Sequence, residues 1–300
     1  MNFFTGNATI PIKCFDLRHT FESAQPLTFH ADYDFETNTL VYVSGKNVLR
    51  VSHLGGGANG QIFAASNGTN FAKSEIRKRF RLSDDMSSIY KKINTDDFMD
   101  SAIRKYNGMR VTLNDPWETT VCFIISQFNN VKRIRGIVRN IVGRYGEEIK
   151  DSRGNLIART FPTSEAMRKA TIKELFACGT GFRAKYLKHA AEYCTENMDL
   201  YKLNPNDYYS LKERLMEIEG VGDKVADCIA LMGYGNLRAF PIDVWIKRTV
   251  ERAYFKGKEQ KIQKIHEFAD EKWSHVQGYA QQYIFWQGRN MDSEMIKQLV

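Results

Sequence analysis

The chain has 300 residues, enough for two cores, and its net charge of +8 with a pI near 9.1 suits a phosphate-rich partner. No run of about eighteen apolar residues occurs, which excludes a transmembrane helix. Met1–Asn7 lacks both a charged n-region and a long apolar stretch, so no signal peptide is read there.

The first third alternates like strands. Thr39–Val43 and Asn47–Val51 flank Ser44-Gly45-Lys46, and Gln61–Ala65 and Thr69–Ala72 flank Asn67-Gly68, a favoured hairpin turn. Gly55–Gly60 reads as a flexible loop. It is no nucleotide cradle, because neither a Lys-Ser/Thr pair nor a helix pattern follows it. Helices are expected over about 83–93 and 96–105. A division near residue 112 then separates a β-rich domain, 1–112, from a helical one, 113–300. Asp115-Pro116-Trp117-Glu118 is a helix start, with Asp as cap and Pro in the first turn, and Val121–Ile125 makes that helix a buried one. Further helices read at about 131–145, 164–177, 183–197, 206–218, 223–233, 244–254, 260–273 and 275–287. The fold class is therefore α+β.

Chemistry concentrates late in the chain. Leu215 and Ile218 end one apolar stripe, Gly220-Val221-Gly222 makes a turn, and Val225, Ala226, Ile229 and Ala230 begin the next stripe. Glycines there allow backbone angles and close approaches that a side chain would block. The unpaired N–H groups of a helix start carry partial positive charge and suit a phosphate. Lys224 follows directly. A lysine becomes nucleophilic when burial or cationic neighbours favour its free amine, and Val221, Val225 and Cys228 suggest an apolar surrounding. Asp243 follows Pro241 before a helix, where it both caps and offers a fixed negative charge. Lys132-Arg133-Ile134-Arg135 and Arg183-Ala184-Lys185 cluster positive charge beside loops.

Five scattered cysteines (14, 122, 178, 194 and 228) point to reduced thiols and a cytoplasmic setting. None follows Cys228, so a four-cysteine iron–sulfur cluster after the hairpin is ruled out. No His, Cys or carboxylate group has zinc-like spacing. Neither metal nor cofactor is expected.

The Leu215–Asp227 string resembles the helix-hairpin-helix of base-excision DNA glycosylases, and Pro241-Ile242-Asp243 completes that signature. Longer segments narrow the resemblance to 8-oxoguanine DNA glycosylase/AP lyases of bacterial type. These are Asn114–Glu118 with Ser126–Ile134, Gly181-Phe182-Arg183-Ala184-Lys185-Tyr186, Gly222–Cys228, and Gly278-Tyr279-Ala280-Gln281 with Phe285. The resemblance implies that Lys224 displaces the base and forms a Schiff base, assisted by Asp243. It implies that Phe285 and Cys228 sandwich a flipped base and that Gln281 bonds its Watson–Crick edge. Phe182 would wedge into the stack, and Arg133 and Arg183 would contact the base opposite. Gly220 and Gly222 would hold a phosphate. Phe128 and Asn129 fall in the family's strand-penetrating loop.

Three positions depart from the pattern. The family's glycine that reads the oxidised purine through its carbonyl is Ala24, in Ala24-Gln25-Pro26-Leu27-Thr28-Phe29. Phe128 replaces a loop asparagine, and Trp245 stands where animal and yeast members have a phosphate-binding histidine. An indole N–H can still donate one hydrogen bond. The implied partner is double-stranded DNA containing oxidised guanine, with the protein acting as a monomer. Two other readings stay open: a glycosylase for another damaged base, and a non-catalytic DNA-binding protein.

Overall fold

The computed structural model describes residues 4, 6–54, 58–68 and 72–298. Gly55–Gly57 of the glycine loop and Thr69–Phe71 of the second expected hairpin lie outside the described residues.

The N-terminal part is an antiparallel sheet of order β1-β5-β4-β3-β2, built from β1 (Gly6–Ile12), β2 (Asp32–Asp34), β3 (Thr39–Ser44), β4 (Asn47–Leu54) and β5 (Gly60–Ser66). The β3–β4 hairpin turns at Gly45, whose φ is +56°, with Ser44 opposite Asn47. The return strand of the expected Asn67-Gly68 hairpin falls on residues outside those described. Both edges of β5 are already taken, by β1 and β4, and Ala72 begins helix α3 (Ala72–Arg79). Asn67 instead accepts a hydrogen bond from the Val48 N–H at 2.8 Å. One face of the sheet buries Ile10, Leu40, Tyr42, Val51 and Ile62 against Leu17, Phe21 and Phe80. Leu17 and Phe21 come from α1 (Leu17–Glu22). A second short helix, α2 (Pro26–His30), follows it.

The rest is helical: α4 (Met86–Ile93), α5 (Asp97–Lys105), α6 (Pro116–Ser126), α7 (Val131–Tyr145), α8 (Ser164–Arg168), α9 (Ile172–Leu175), α10 (Ala184–Glu196), α11 (Tyr208–Met216), α12 (Asp223–Tyr234), α13 (Val244–Tyr254), α14 (Ile262–Trp273) and α15 (Gln277–Gln298). A two-stranded hairpin, β6 (Glu148–Lys150) with β7 (Leu156–Arg159), interrupts them where the sequence pattern gives no strand. The larger core joins residues of α6, α7, α10, α12 and α15 and also takes in Met86, Ile93, Met99 and Val111. Helices α4 and α5 thus pack with the helical mass although they precede residue 112. No helix among the described residues is long and apolar enough to cross a membrane.

The single helix expected over 164–177 is broken. Thr171 restarts it as α9 through a reciprocal cap: its side chain accepts from the Glu174 N–H, and the Glu174 carboxylate accepts from the Thr171 N–H. The chain then widens into a π-helical turn over Phe176–Thr180 and leaves through Gly179 and Gly181, at φ +90° and +59°. α6 begins as expected, the Asp115 carboxylate accepting from the Glu118 N–H at 3.0 Å. Trp117 and Val121–Ile125 of α6 are buried, and α12 is buried from Val225 to Gly233. A helix buried on all sides is fixed in place, so what it carries at its first turn is fixed as well.

Candidate active site

The hairpin of α11 and α12 turns at Gly220, φ +88°. A Cβ on Gly220 would lie 2.5 Å from Cγ of Tyr186, so both the dihedral and the aromatic ring demand glycine. Gln127 ties the turn to the α6–α7 loop by donating to the Gly220 carbonyl at 3.0 Å. Gly222 differs. It caps α12 with ordinary extended angles, and a Cβ placed there would meet nothing within 4 Å, so its backbone stands open. An exposed helix start with no side chain over it is what a phosphate oxygen requires.

Lys224, on the first turn of α12, points into a cavity of about 490 Å³. Ala24, Asn129, Cys228, Asp243, Trp245, Gln281 and Phe285 line the same cavity. Eight of the sequence-selected residues therefore converge, from segments between residues 24 and 285. The apolar neighbour of Lys224 is Phe123, whose ring centroid lies 5.3 Å from Nζ. Val221 and Val225, expected in that role, turn into the helical core. In the sequence Phe123 is only one member of a buried run. Its orientation toward the cavity has no local signal, since α6 is apolar on every side.

Asp243 caps α13, accepting from the Ile246 N–H at 2.8 Å, which fixes its carboxylate at the cavity wall. Burial pushes the Cys228 thiol up to about 11 against the pull of the Lys224 ammonium, so it stays neutral at physiological pH. Gln281 is 6% exposed. Its Nε2 donates to the Pro241 carbonyl at 3.1 Å while its Oε1 is buried without a partner. A buried acceptor left open costs about 1–3 kcal/mol and marks a place for a donor on a ligand.

The far lip is Ser23–Ala24. Ala24 has φ +58°, the left-handed region that favours glycine. It is held there from several directions. Gln25 donates to the Arg110 carbonyl at 2.8 Å and to Ser23 Oγ at 2.9 Å, and accepts from the Thr112 N–H at 2.7 Å. Gln282 donates to the Ser23 carbonyl at 2.8 Å. Gln282, Ser23 and Phe29 also line the cavity, and sequence reasoning misses all three.

Phe128, Arg133, Phe182, Arg183, Gly220 and Gly222 lie outside the cavity. Phe128 is 93% exposed and Phe182 50% exposed, their ring centroids 6.4 Å apart. Arg133 is exposed at the start of α7. Arg183 departs from expectation. It is only 3% exposed, and its guanidinium points inward onto the carbonyls of Gln127, Phe128 and Thr180.

The fold also assembles one group that spacing does not reveal. Carboxylate oxygens of Asp223 and Asp227 and a ring nitrogen of His266 lie within 4.8 Å of one another. Lys212 supplies the cation there, 2.8 Å from Asp223 and 3.1 Å from Asp227. The cluster bonds α11 to α12 and stands apart from the cavity-lining residues.

A hairpin presenting a lysine to a half-open pocket that a capping aspartate also lines fits a base-excision architecture. The chain belongs to the HhH-GPD superfamily of base excision DNA repair proteins, whose family model matches residues 121–275. Residues 8–120 match the N-terminal domain of 8-oxoguanine DNA glycosylases. The probable N-glycosylase/DNA lyase of Methanothermobacter thermautotrophicus is 28% identical over 233 residues, covering 71% of this chain and 73% of that one. Among solved structures, MBOgg1 in complex with a low affinity DNA ligand superposes with a TM-score of 0.87 at 32% identity, covering 96% of this chain and 97% of that one. The Clostridium acetobutylicum 8-oxoguanine glycosylase/lyase, bound to duplex DNA with cytosine opposite 8-oxoguanine, gives 0.81 at 26%, covering 97% and 100%.

Proposed function

We propose that Lys224 is the nucleophile of a bifunctional glycosylase that removes 8-oxoguanine from duplex DNA and then cleaves the strand by β-elimination. The chain is a DNA glycosylase with abasic-site lyase activity. One observation carries the assignment of the residues: Lys224 and Asp243 share the wall of a pocket whose depth holds an open acceptor, Gln281 Oε1.

A base inside the duplex shields its own sugar carbon, so the nucleotide must leave the stack to enter the cavity. The Watson–Crick edge of a guanine-type base carries N–H donors, which Gln281 Oε1 can accept. Phe285 and Cys228 offer an aromatic ring and a neutral thiol to the two base faces. The free amine of Lys224 attacks C1′, the bond to the base breaks, and the base leaves with the electron pair and takes up a proton. Positive charge builds on the sugar as the base departs, and the carboxylate of Asp243, already fixed by its cap, stabilises that charge without reorganisation. Opening of the sugar ring then leaves a Schiff base between Nζ and C1′. It acidifies the C2′ proton, whose removal expels the 3′ phosphate. The open start of α12 at Gly222 holds a backbone phosphate and keeps Lys224 in register with C1′.

The test is a set of duplexes, each with one defined lesion, incubated with borohydride. A reducible Schiff base gives a trapped protein–DNA adduct on 8-oxoguanine. Lys224→Gln should lose trapping and base release while still binding DNA. Equal adduct from that variant would overturn the assignment. Preference for an alkylated base or an oxidised pyrimidine would move the substrate.

A further inference from the structure

The first two turns of α7 carry more positive charge than the excision chemistry uses. Lys132, Arg135, Gly136 and Arg139 follow one another at the spacing of a single helix face. Arg289 joins them from α15, and with Asn130 and Val131 they line a surface groove of about 650 Å³. Its lining includes four cations and, among the described residues, no carboxylate. A Cβ on Gly136 would meet nothing within 4 Å, so no side chain covers the floor between the charges. Arg135 is anchored, its Nη1 donating to the Thr28 carbonyl at 2.5 Å and its Nη2 to the Ala31 carbonyl at 2.9 Å. Burial and the neighbouring Arg139 hold its guanidinium below the usual arginine value, a sign of like charges crowded together. Asp32 of β2 reaches two of the cations from outside the groove, 2.5 Å from Arg139 and 3.6 Å from Arg135. Its carboxylate is 74% exposed, so water screens these pairs and another anion can replace it.

We infer that this groove between α7 and α15 is a second phosphate-binding site, separate from the hairpin, that grips the DNA backbone next to the mouth of the base cavity. This rests on the function proposed above, in which that cavity receives the flipped base. Asn130, Val131 and Arg289 line both the cavity and the groove, so the two are continuous, while no residue of the hairpin turn lines the groove. On α15 the residues Gln281, Phe285 and Arg289 fall on one face, four apart, and all three line the cavity. The same helix face thus runs from the base-edge acceptor to a cation in the groove. Lys132 and Arg139 stand about 10 Å apart along α7, at 1.5 Å per residue. A DNA strand carries one phosphate for about every 3.4 Å of duplex axis, so a row of that length spans more than one phosphate. That length favours a strand over a small anion.

Binding to a duplex with a stable abasic analogue is measured by fluorescence anisotropy between about 50 and 200 mM salt. Lys132→Ala/Arg139→Ala removes two phosphate contacts and should lower the slope of log Kd against log salt by about 1.8. Over that range the wild type should therefore lose about tenfold more affinity than the variant. Lys132→Arg/Arg139→Lys keeps both charges and should keep the slope, which a purely structural role for these side chains would not ensure. Asp32→Asn removes the competing carboxylate and should tighten binding. Arg104→Ala/Lys202→Ala takes the same net charge from two exposed positions outside the groove and should leave the slope unchanged. An unchanged slope in Lys132→Ala/Arg139→Ala, an equal loss in Arg104→Ala/Lys202→Ala, or weaker binding by Asp32→Asn would overturn the site. Displacement of the duplex from the wild type by inorganic pyrophosphate at equal ionic strength, but not from Lys132→Ala/Arg139→Ala, would give the groove to a small anion and overturn it as well. Lys132 and Arg139 do not line the base cavity, so single-turnover excision at saturating protein should stay within about twofold of the wild type. The expected loss of slope, together with a wild type that excises from no 8-oxoguanine duplex, would uphold the groove and refute the proposed function.

Discussion

The hairpin and the lip of the pocket meet the same backbone demand with different residues. On the hairpin side Gly220 takes φ +88°, and on the opposite lip Ala24 takes φ +58°. At Gly220 the demand is double, because the Tyr186 ring fills the space where a Cβ would go. At Ala24 only the dihedral is costly. The residue lines the open cavity, so alanine is held there by the bonds of Gln25 and Gln282. A glycine at positive φ is thus irreplaceable when its neighbours are packed and replaceable, for a modest strain, when they are not.

The largest effect that would sharpen the contrast lies on the hairpin side. Asp243→Asn should keep the α13 cap, since Asn caps as well as Asp, while slowing base release by about 10²–10³-fold through loss of one preorganised charge. Unchanged single-turnover rates would make Asp243 structural only, and the two sides would no longer differ in chemistry.

Gly220→Ala comes next. Left-handed strain and the clash with Tyr186 together should cost about 2–4 kcal/mol of stability, read as a lowered denaturation midpoint, and should weaken binding to undamaged duplex as the turn shifts. A variant as stable as the wild type would show that Tyr186 moves aside freely, which would remove the steric half of the comparison.

Ala24→Gly should have the smallest effect. Relief of strain and the greater freedom of the unfolded chain oppose each other, leaving stability within about 1 kcal/mol of the wild type. The carbonyl is retained, so excision of 8-oxoguanine should change by less than about tenfold, that is, by less than about 1.4 kcal/mol. A large gain in selectivity against guanine, measured on paired duplexes, would show instead that the methyl holds the base away from that carbonyl.

Much of this protein is legible because its signals act over a few residues. Gly220-Val221-Gly222 before Lys224, the Asp115 cap with Pro116, and the capping Asp243 each show a local signal in the residues themselves. The resemblance extends that reading to Cys228, Gln281 and Phe285, and the fold brings all three to the cavity with Lys224. The partners of β5 are a non-local matter. Asn67-Gly68 has good turn chemistry, but β5 finds both its partners elsewhere, in β1 and β4. The break after α8 has a local cause, a Thr171–Glu174 cap that is easily overlooked within an otherwise helical pattern.

By itself the sequence determined the α+β class, the hairpin, and the pairing of a hairpin lysine with a capping aspartate, because glycine dihedrals, caps and periodicity are short-range. Only the tertiary structure decided that Phe123 faces Lys224, that Gln281 keeps an acceptor open, that Arg183 turns inward to mount two exposed rings, and that Lys212 sits between Asp223 and Asp227. Each of these depends on which side chain reaches a shared space first, and that is settled when helices far apart in the chain pack together.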